Sequence, residues 1–398
     1  RDHQSLPTVD ATNFYRIFNV FFSENLYVFR IITYGLLNLS TFALYFFAGK
    51  YYQLKLNAIL IGFIGIGFNF ITWGISNIVL HQYIGNTILV NFSLSFIFIY
   101  LLYRKLFPLL ISGFLLGLVL FNGIPHTIVI IPISLFLLFN FWKSSKKTIL
   151  YIVIGGILGI IFYFSFIESL SQFISQFEWI KFYQQFHTKQ HPKSFFFYWI
   201  LKVVGFILLP SGILIGYIHQ FSKNKIKILD FLIIIFAIIY IISLFFYSTI
   251  YINYIFLSLF IYRYFLSDMN IEKKTFLVLL ALIPFALSFG SGAYFESRGE
   301  AYNIYFYLVL IVILASIYSL RYFIVFVAFF LHQCFIFPNQ LYNKGWKDFV
   351  FTEQTEKVTI KGNDLYLDKA RKKDIEDLRP YLQNQPHVIY SNNHLLGY

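Results

Sequence analysis

The chain has 398 residues, 58% of them hydrophobic and only 12% charged, with a net charge of +13. That balance excludes an ordinary water-soluble domain of this length. The positive charge does not point to nucleic acid, because the cations sit mainly in short loops between apolar stretches, where they serve topology and lipid head-groups.

Residues 1–25 are polar and then amphipathic, with Phe14, Ile17, Phe18, Phe21 and Phe22 at roughly helical spacing. This pattern predicts a juxtamembrane helix lying on the outer face. About twelve apolar spans follow, over 26–47, 57–73, 87–103, 106–121, 125–142, 148–167, 195–218, 228–246, 249–266, 275–290, 303–320 and 322–337. Each is long enough, or nearly so, to cross a hydrocarbon core of ~30 Å. Residues 73–86 also fit a partly re-entrant hairpin. Lys and Arg fall on every second loop: Lys50 and Lys55, Arg104 and Lys105, Lys143 to Lys147, Lys223 to Lys227, Lys273 and Lys274, then Arg321. By the positive-inside rule these loops are cytoplasmic, and the intervening ones lie on the other face. Cys334 is alone, so no disulfide forms within the chain.

From about Pro338 the sequence turns to ordinary soluble composition. VTIKGNDLYL alternates like a strand, ARKKDIEDLRPYLQ is amphipathic like a helix, and HVIYSN resembles a second strand. The expected fold is an all-α polytopic membrane protein of about twelve transmembrane helices with a small C-terminal α/β extracytoplasmic module. Its parts are 1–25, the end of an outer loop; 26–337, the membrane domain; and 338–398, the outer module. Opening on Arg1 and closing on Tyr398 within that module, the chain reads as a fragment, with one further span expected upstream.

Polar residues near the outer ends of spans are the candidates for chemistry, because burying them in a membrane is costly. Arg30 and Lys202 lie one to two turns into their spans, where they either snorkel to the surface or bind an anion. The second large outer segment, Glu168–Ser194, mixes aromatic and basic residues, among them Lys181 and Lys193. The third, GSGAYFESRGEAYN, carries Tyr294, Glu296 and Arg298. Arg298 suits bidentate capture of a phosphate, with an ion pair to Glu296 or Glu300 as the competing reading. Asn122 and His126 in the short NGIPH turn suit a phosphate or sugar hydroxyl, or else a helix cap. His187 and His191 have the spacing of a helical metal pair but no supporting third ligand, so no metal site is assigned. Asp2, beside His3, is an acid on the opening segment, as are Asp10 and Glu24, with a plain solvated loop charge as the competing reading of each. Sugar transfer from a lipid phosphate to a hydroxyl needs such a carboxylate to take the acceptor proton, and cations to hold the leaving phosphate.

With these residues in place, the chain resembles the GT-C superfamily of integral-membrane glycosyltransferases, the protein-mannosyltransferase-like and aminoarabinose-transferase-like enzymes. The opening RDHQSLP…NFYRIFNVFFSENLYVFRIITYGLLNL is similar to the end of that family's first outer loop entering its second span. Asp2 and Pro7 match the loop acid and following proline, and Arg30 an arginine near the span's start. FNGIPHTIVIIP is similar to a Gly- and Pro-containing outer hairpin, with Asn122 standing where the family often has Lys. The resemblance implies a polyprenyl-phosphate-linked sugar donor and a lipid, glycan or protein acceptor outside the cytoplasm, in a bacterial inner membrane. It implies a principal catalytic acid upstream of Arg1, with Asp2 secondary. No cofactor beyond the donor is implied, and a divalent metal is left open. The rivals are an O-antigen-type polysaccharide polymerase or ligase and a lipid-linked oligosaccharide flippase or transporter.

Overall fold

A computed structural model describes residues 26–73, 82–121, 129–142, 145–171, 173–174, 270–288, 302–317, 356–360, 363–367, 372–373 and 376–377. The chain divides into two units, Arg1–Leu331 and His332–Tyr398.

The described part of the first unit is helical. Its helices are α1 (Leu26–Tyr52), α2 (Ala58–Trp73), α3 (Gln82–Tyr103), α4 (Phe107–Val119), α5 (Ile130–Phe141), α6 (Lys146–Phe162), α7 (Ile271–Ser288) and α8 (Asn303–Ile317). A π-helical turn, Tyr163–Ile167, extends α6. Among the described residues three stretches are long and apolar enough to cross a membrane: Ile31–Tyr52, Ile84–Tyr103 and Lys146–Ile167. The spans expected over 195–218, 228–246, 249–266 and 322–337 lie outside the described residues, as does the juxtamembrane helix expected before Leu26.

Local chemistry sets the helix ends. Asn57 and Asn270 cap α2 and α7, their side-chain oxygens accepting from the N–H groups of Ile59 and Glu272 at 2.9 and 3.0 Å. Pro108 sits in the first turn of α4, where its missing N–H costs nothing. α1 closes with Gln53 at φ 55°. There the N–H of Gln53 donates to Lys50 O at 3.2 Å and that of Leu54 to Gly49 O at 3.1 Å, a Schellman closure. α3 closes more simply: Arg104, also at φ 55°, donates its N–H to Tyr100 O at 2.7 Å.

The helices bury their polar residues together with many apolar and aromatic ones, among them Tyr45, Phe68, Phe98 and Phe276. α3 lies at the centre, packed between α1 and α4, with Asn86, Thr87, Asn91, Ser93 and Ser95 all buried. α6 lies at the periphery and exposes Leu150, Val153, Ile157 and Ile161. Its other face is glycine. Gly113 and Gly117 of α4 meet Gly155, Gly156 and Gly159 of α6, backbone against backbone. A Cβ on Gly113 would lie 2.1 Å from Ile152 O, and one on Gly155 would lie 2.1 Å from Leu110 O. Contact partners advance in the same direction along both helices, so the pair runs parallel, as helices separated by one antiparallel neighbour must.

In the second unit, VTIKGNDLYL is not the single strand expected. It folds back as β1 (Glu356–Ile360) and β2 (Asn363–Leu367), paired antiparallel from Glu356↔Leu367 to Ile360↔Asn363. Lys361 and Gly362 lie between the two strands in the sequence. Of the helix expected over ARKKDIEDLRPYLQ, only residues 372–373 and 376–377 are described, and both pairs are helical. HVIYSN lies outside the described residues.

Two stability predictions follow from this packing. Gly155→Leu drives a side chain into a carbonyl that cannot move without parting the helices, so it should cost at least ~1–3 kcal/mol, read as a lower Tm in detergent. Ile157→Ala on the exposed face should leave Tm nearly unchanged. Gln53→Gly removes a left-handed conformation costing roughly 1 kcal/mol, less what glycine adds to the unfolded chain's entropy, and should raise Tm.

Candidate functional site

The described polar groups collect at three depths of the bundle. The first is one end of it, where the basic loops converge. Tyr51 at the close of α1 donates its hydroxyl to Glu272 Oε1 at 2.8 Å. Arg104, just past α3, spans both oxygens of the same carboxylate at 3.2 Å. Tyr52 donates to Lys273 O at 2.9 Å, and Tyr100 shares a 2.8 Å bond with Thr148 at the start of α6. The Arg104 guanidinium also lies over the Tyr100 and Phe141 rings. Burial alone would lower its pKa, but the charge and hydrogen bonds of Glu272, with help from Tyr100, turn the net shift upward. Lys273 is shifted down, because burial outweighs the attraction of Glu272. Arg104 is half-exposed, so this pair contributes about 1 kcal/mol at most and serves to hold three helix ends in register.

The second depth is the middle. Thr41, Asn69 and Asn91 each lie eleven or twelve residues from the basic end of their helices, which is about 17 Å at the α-helical rise. They join in one network. Asn91 Nδ2 donates to Thr41 Oγ1 at 3.0 Å and to Ser40 Oγ at 3.4 Å. Thr41 donates to Asn69 Oδ1 at 3.3 Å, and Asn69 Nδ2 donates to Asn38 Oδ1 at 3.1 Å. Asn91 Oδ1 is buried without a hydrogen-bond partner.

α8 also begins deep in the bundle. Tyr45, about 10 Å from the Tyr52 end, donates its hydroxyl to Ile304 O. Phe68, about 15 Å from the Ala58 end, stacks on Tyr307 with ring centroids 4.4 Å apart. The expectation that the outer loop runs to Asn303 and the next span starts at the surface is therefore corrected. Tyr302, Ile304 and Tyr305 are all buried. The Tyr305 hydroxyl, too, is buried without a hydrogen-bond partner.

The third depth is the end opposite the basic loops. Glu168 lies twenty residues beyond Thr148 along α6 and its π-helical turn, about 30 Å away. It is 4% exposed. The Tyr163 hydroxyl donates to its Oε2 at 2.8 Å and makes a longer contact, 3.4 Å, with Phe121 O. Phe121 stacks on Tyr163 at 4.9 Å and meets Phe164 and Phe173 edge-on at 4.8 and 5.2 Å.

Of the residues singled out from sequence, only Arg30 falls on a described helix, in the second turn of α1 and at the end opposite the basic loops. Asp2, His3, Asn122, His126, Lys181, Lys193, Lys202, Tyr294, Glu296 and Arg298 lie outside the described residues. Sequence reasoning missed Glu168 and Tyr163 as a pair. The available signal was an acid directly ending a long apolar run, YFSFIE. It also missed the Asn38–Asn69–Asn91 network, whose members are uncharged. Among the described residues no group of His, Cys, Asp and Glu is placed to hold a metal ion.

No family model, curated protein or solved structure matches the chain.

Asn91→Leu should destabilise the bundle by about 0.6–2 kcal/mol, because it strips the donors from Ser40 and Thr41 where no water replaces them. Thermal melting in detergent checks this, with Leu39→Ala on the exposed face of α1 as the neutral comparison.

Proposed function

We propose that this chain is a membrane glycosyltransferase that moves a sugar from a polyprenyl-phosphate-linked donor to a lipid, glycan or protein acceptor on the extracytoplasmic face. The observation that carries the reading is the separation of the two ends. The ends of α1 and α3 and the starts of α6 and α7 meet at one end, where Arg104, Lys273 and Lys274 lie. By the positive-inside rule that end is cytoplasmic. The chain enters α1 and leaves α6 and α7 at the other, so 1–25, 168–194 and the run after Ser288 all join the bundle there. The sequence puts Asp2 and His3, Lys181 and Lys193, and Tyr294, Glu296 and Arg298 on those three runs, with Arg30 close by in α1. Arg298 and Lys202 hold the donor phosphate in this reading. Asn122 and His126 line the pocket, and Asp2 helps position donor or acceptor.

A second reading has its own support. The uncharged polar network at mid-depth, with an unpartnered amide oxygen and the first turn of α8 at similar depth, is what a path through the bundle would need. It favours a lipid-linked oligosaccharide flippase or transporter.

Reconstituted full-length protein supplied with synthetic polyprenyl-phosphate hexoses separates the two. Transferase activity releases polyprenyl phosphate, and Arg298→Ala should reduce both turnover and donor binding. Movement of intact donor between leaflets without release would select the transporter. Unchanged turnover and binding in Arg298→Ala would remove that residue from the site.

A further inference from the structure

One side of α6 is basic at its start and apolar for the rest of its length. The opposite side carries Gly155 and Gly159, which meet α4, so the free side presents Lys146, Leu150, Val153, Ile157 and Ile161, three or four residues apart. All five are exposed, the apolar ones by half or slightly more. From Lys146 to Ile161 the helix rises about 22 Å, more than the ~15 Å of hydrocarbon in one leaflet.

Further cations gather at the basic end of this stripe. Lys147 follows Lys146 and is exposed. Gly113 of α4 sits against Ile152 and Gly156 of the parallel α6. Eight residues back from that contact, Lys105 precedes α4 at the depth where α6 begins, and it too is exposed. Trp142, half-exposed at the close of α5, lies four residues before Lys146, and an indole there suits the head-group level. No carboxylate answers these charges. The sequence has no Asp or Glu between Glu24 and Glu168. Glu272, the acid described at this end, is bonded by Arg104, and among the described residues Lys105, Lys146 and Lys147 form no ion pair.

We propose that this side of α6 binds an anionic phospholipid of the phosphatidylglycerol class. Its phosphate lies among Lys105, Lys146 and Lys147, and an acyl chain runs along Leu150, Val153, Ile157 and Ile161. The unpaired lysines favour an anionic lipid over a zwitterionic one, and the apolar stripe continuous with them favours a lipid over a free anion. The assignment needs only that α6 lies in the membrane and does not rest on the glycosyltransferase reading.

Trp142 supplies the reporter for the test. The full chain with Trp73, Trp179, Trp199 and Trp346 each replaced by Phe keeps Trp142 as its one indole. In phosphatidylcholine vesicles, brominated phosphatidylglycerol and brominated phosphatidylcholine are compared as quenchers of its fluorescence at equal mole fractions. Phosphatidylglycerol should bind beside Trp142 at least about fivefold more strongly, the factor that a single lysine supplies at an anionic membrane surface. Lys105→Gln, Lys146→Gln and Lys147→Gln together should abolish that preference, while Lys50→Gln with Lys55→Gln at the same end should keep it. Equal quenching by the two lipids overturns the proposal. A preference that survives the triple replacement, or that the double replacement removes as fully, also overturns it, because the charge acting is then not local to α6. Loss of the preference on adding inorganic phosphate at constant ionic strength overturns the lipid as the occupant. Should the Trp-to-Phe chain fail to fold, spin-labelled phosphatidylglycerol and phosphatidylcholine on the unaltered chain, with and without the lysine replacements, decide in the same way.

Discussion

Hydrocarbon cannot hydrogen-bond to an amide or a hydroxyl, and the arrangement of the described helices follows from that single constraint. Every Asn, Ser and Thr within a span must find its partner on the same helix or a neighbouring one. α3 carries the most of them, and it occupies the centre of the bundle for that reason. Ser93 meets Ser112 across α3 and α4 at 2.8 Å, and Ser95 bonds back to Asn91 O at 2.7 Å. With apolar attraction between helices nearly absent in lipid, association is left to such bonds and to close packing. Glycine supplies the second. Gly62 and Gly65 leave space for the rings of Phe42 and Tyr45 between α1 and α2, while the glycines of α4 and α6 bring two backbones together.

The same constraint separates the two ends by chemistry. At the basic end, water and head-groups are near, and Arg104 remains half-exposed while it bonds Glu272. At the other, Glu168 is buried and accepts a bond from the hydroxyl of Tyr163, whose ring stacks on Phe121. Glu272 is bonded by a cation and does positional work, whereas Glu168 lies buried just past the π-helical turn that ends α6.

Much of the helical layout was legible in the sequence, because apolar runs as long as those of α1, α3 and α6 have few other uses. The grouping of loop ends was legible too, since Arg104, Lys146 and Lys273 mark it directly. Depth was harder to read. Alternating loops assume that each span crosses completely, and nothing in NIYFYLVLIVILASI tells that its first turn sits against Tyr45 and Phe68. The candidate site was least legible. A search for charges inside spans passes over Asn38, Asn69 and Asn91, and it takes Glu168 for the first residue of a loop. The link to Tyr163 depends on a π-helical turn, which no hydrophobic period announces. A single strand over VTIKGNDLYL was a misreading of a similar kind: alternation continued on both sides of Gly362 and concealed the reversal.

The glycine contact between α4 and α6 has a further consequence for assembly. Most helix interfaces immobilise long side chains and lose their rotational freedom on forming. Here the contacting surfaces are largely main chain, so the union freezes almost no rotamers, and its geometry is set by carbonyl groups that have no alternative positions. α4 and α6 are separated in sequence only by α5, so this joint needs nothing that comes after residue 162. It gives the growing bundle a rigid pair against which later helices can be fitted.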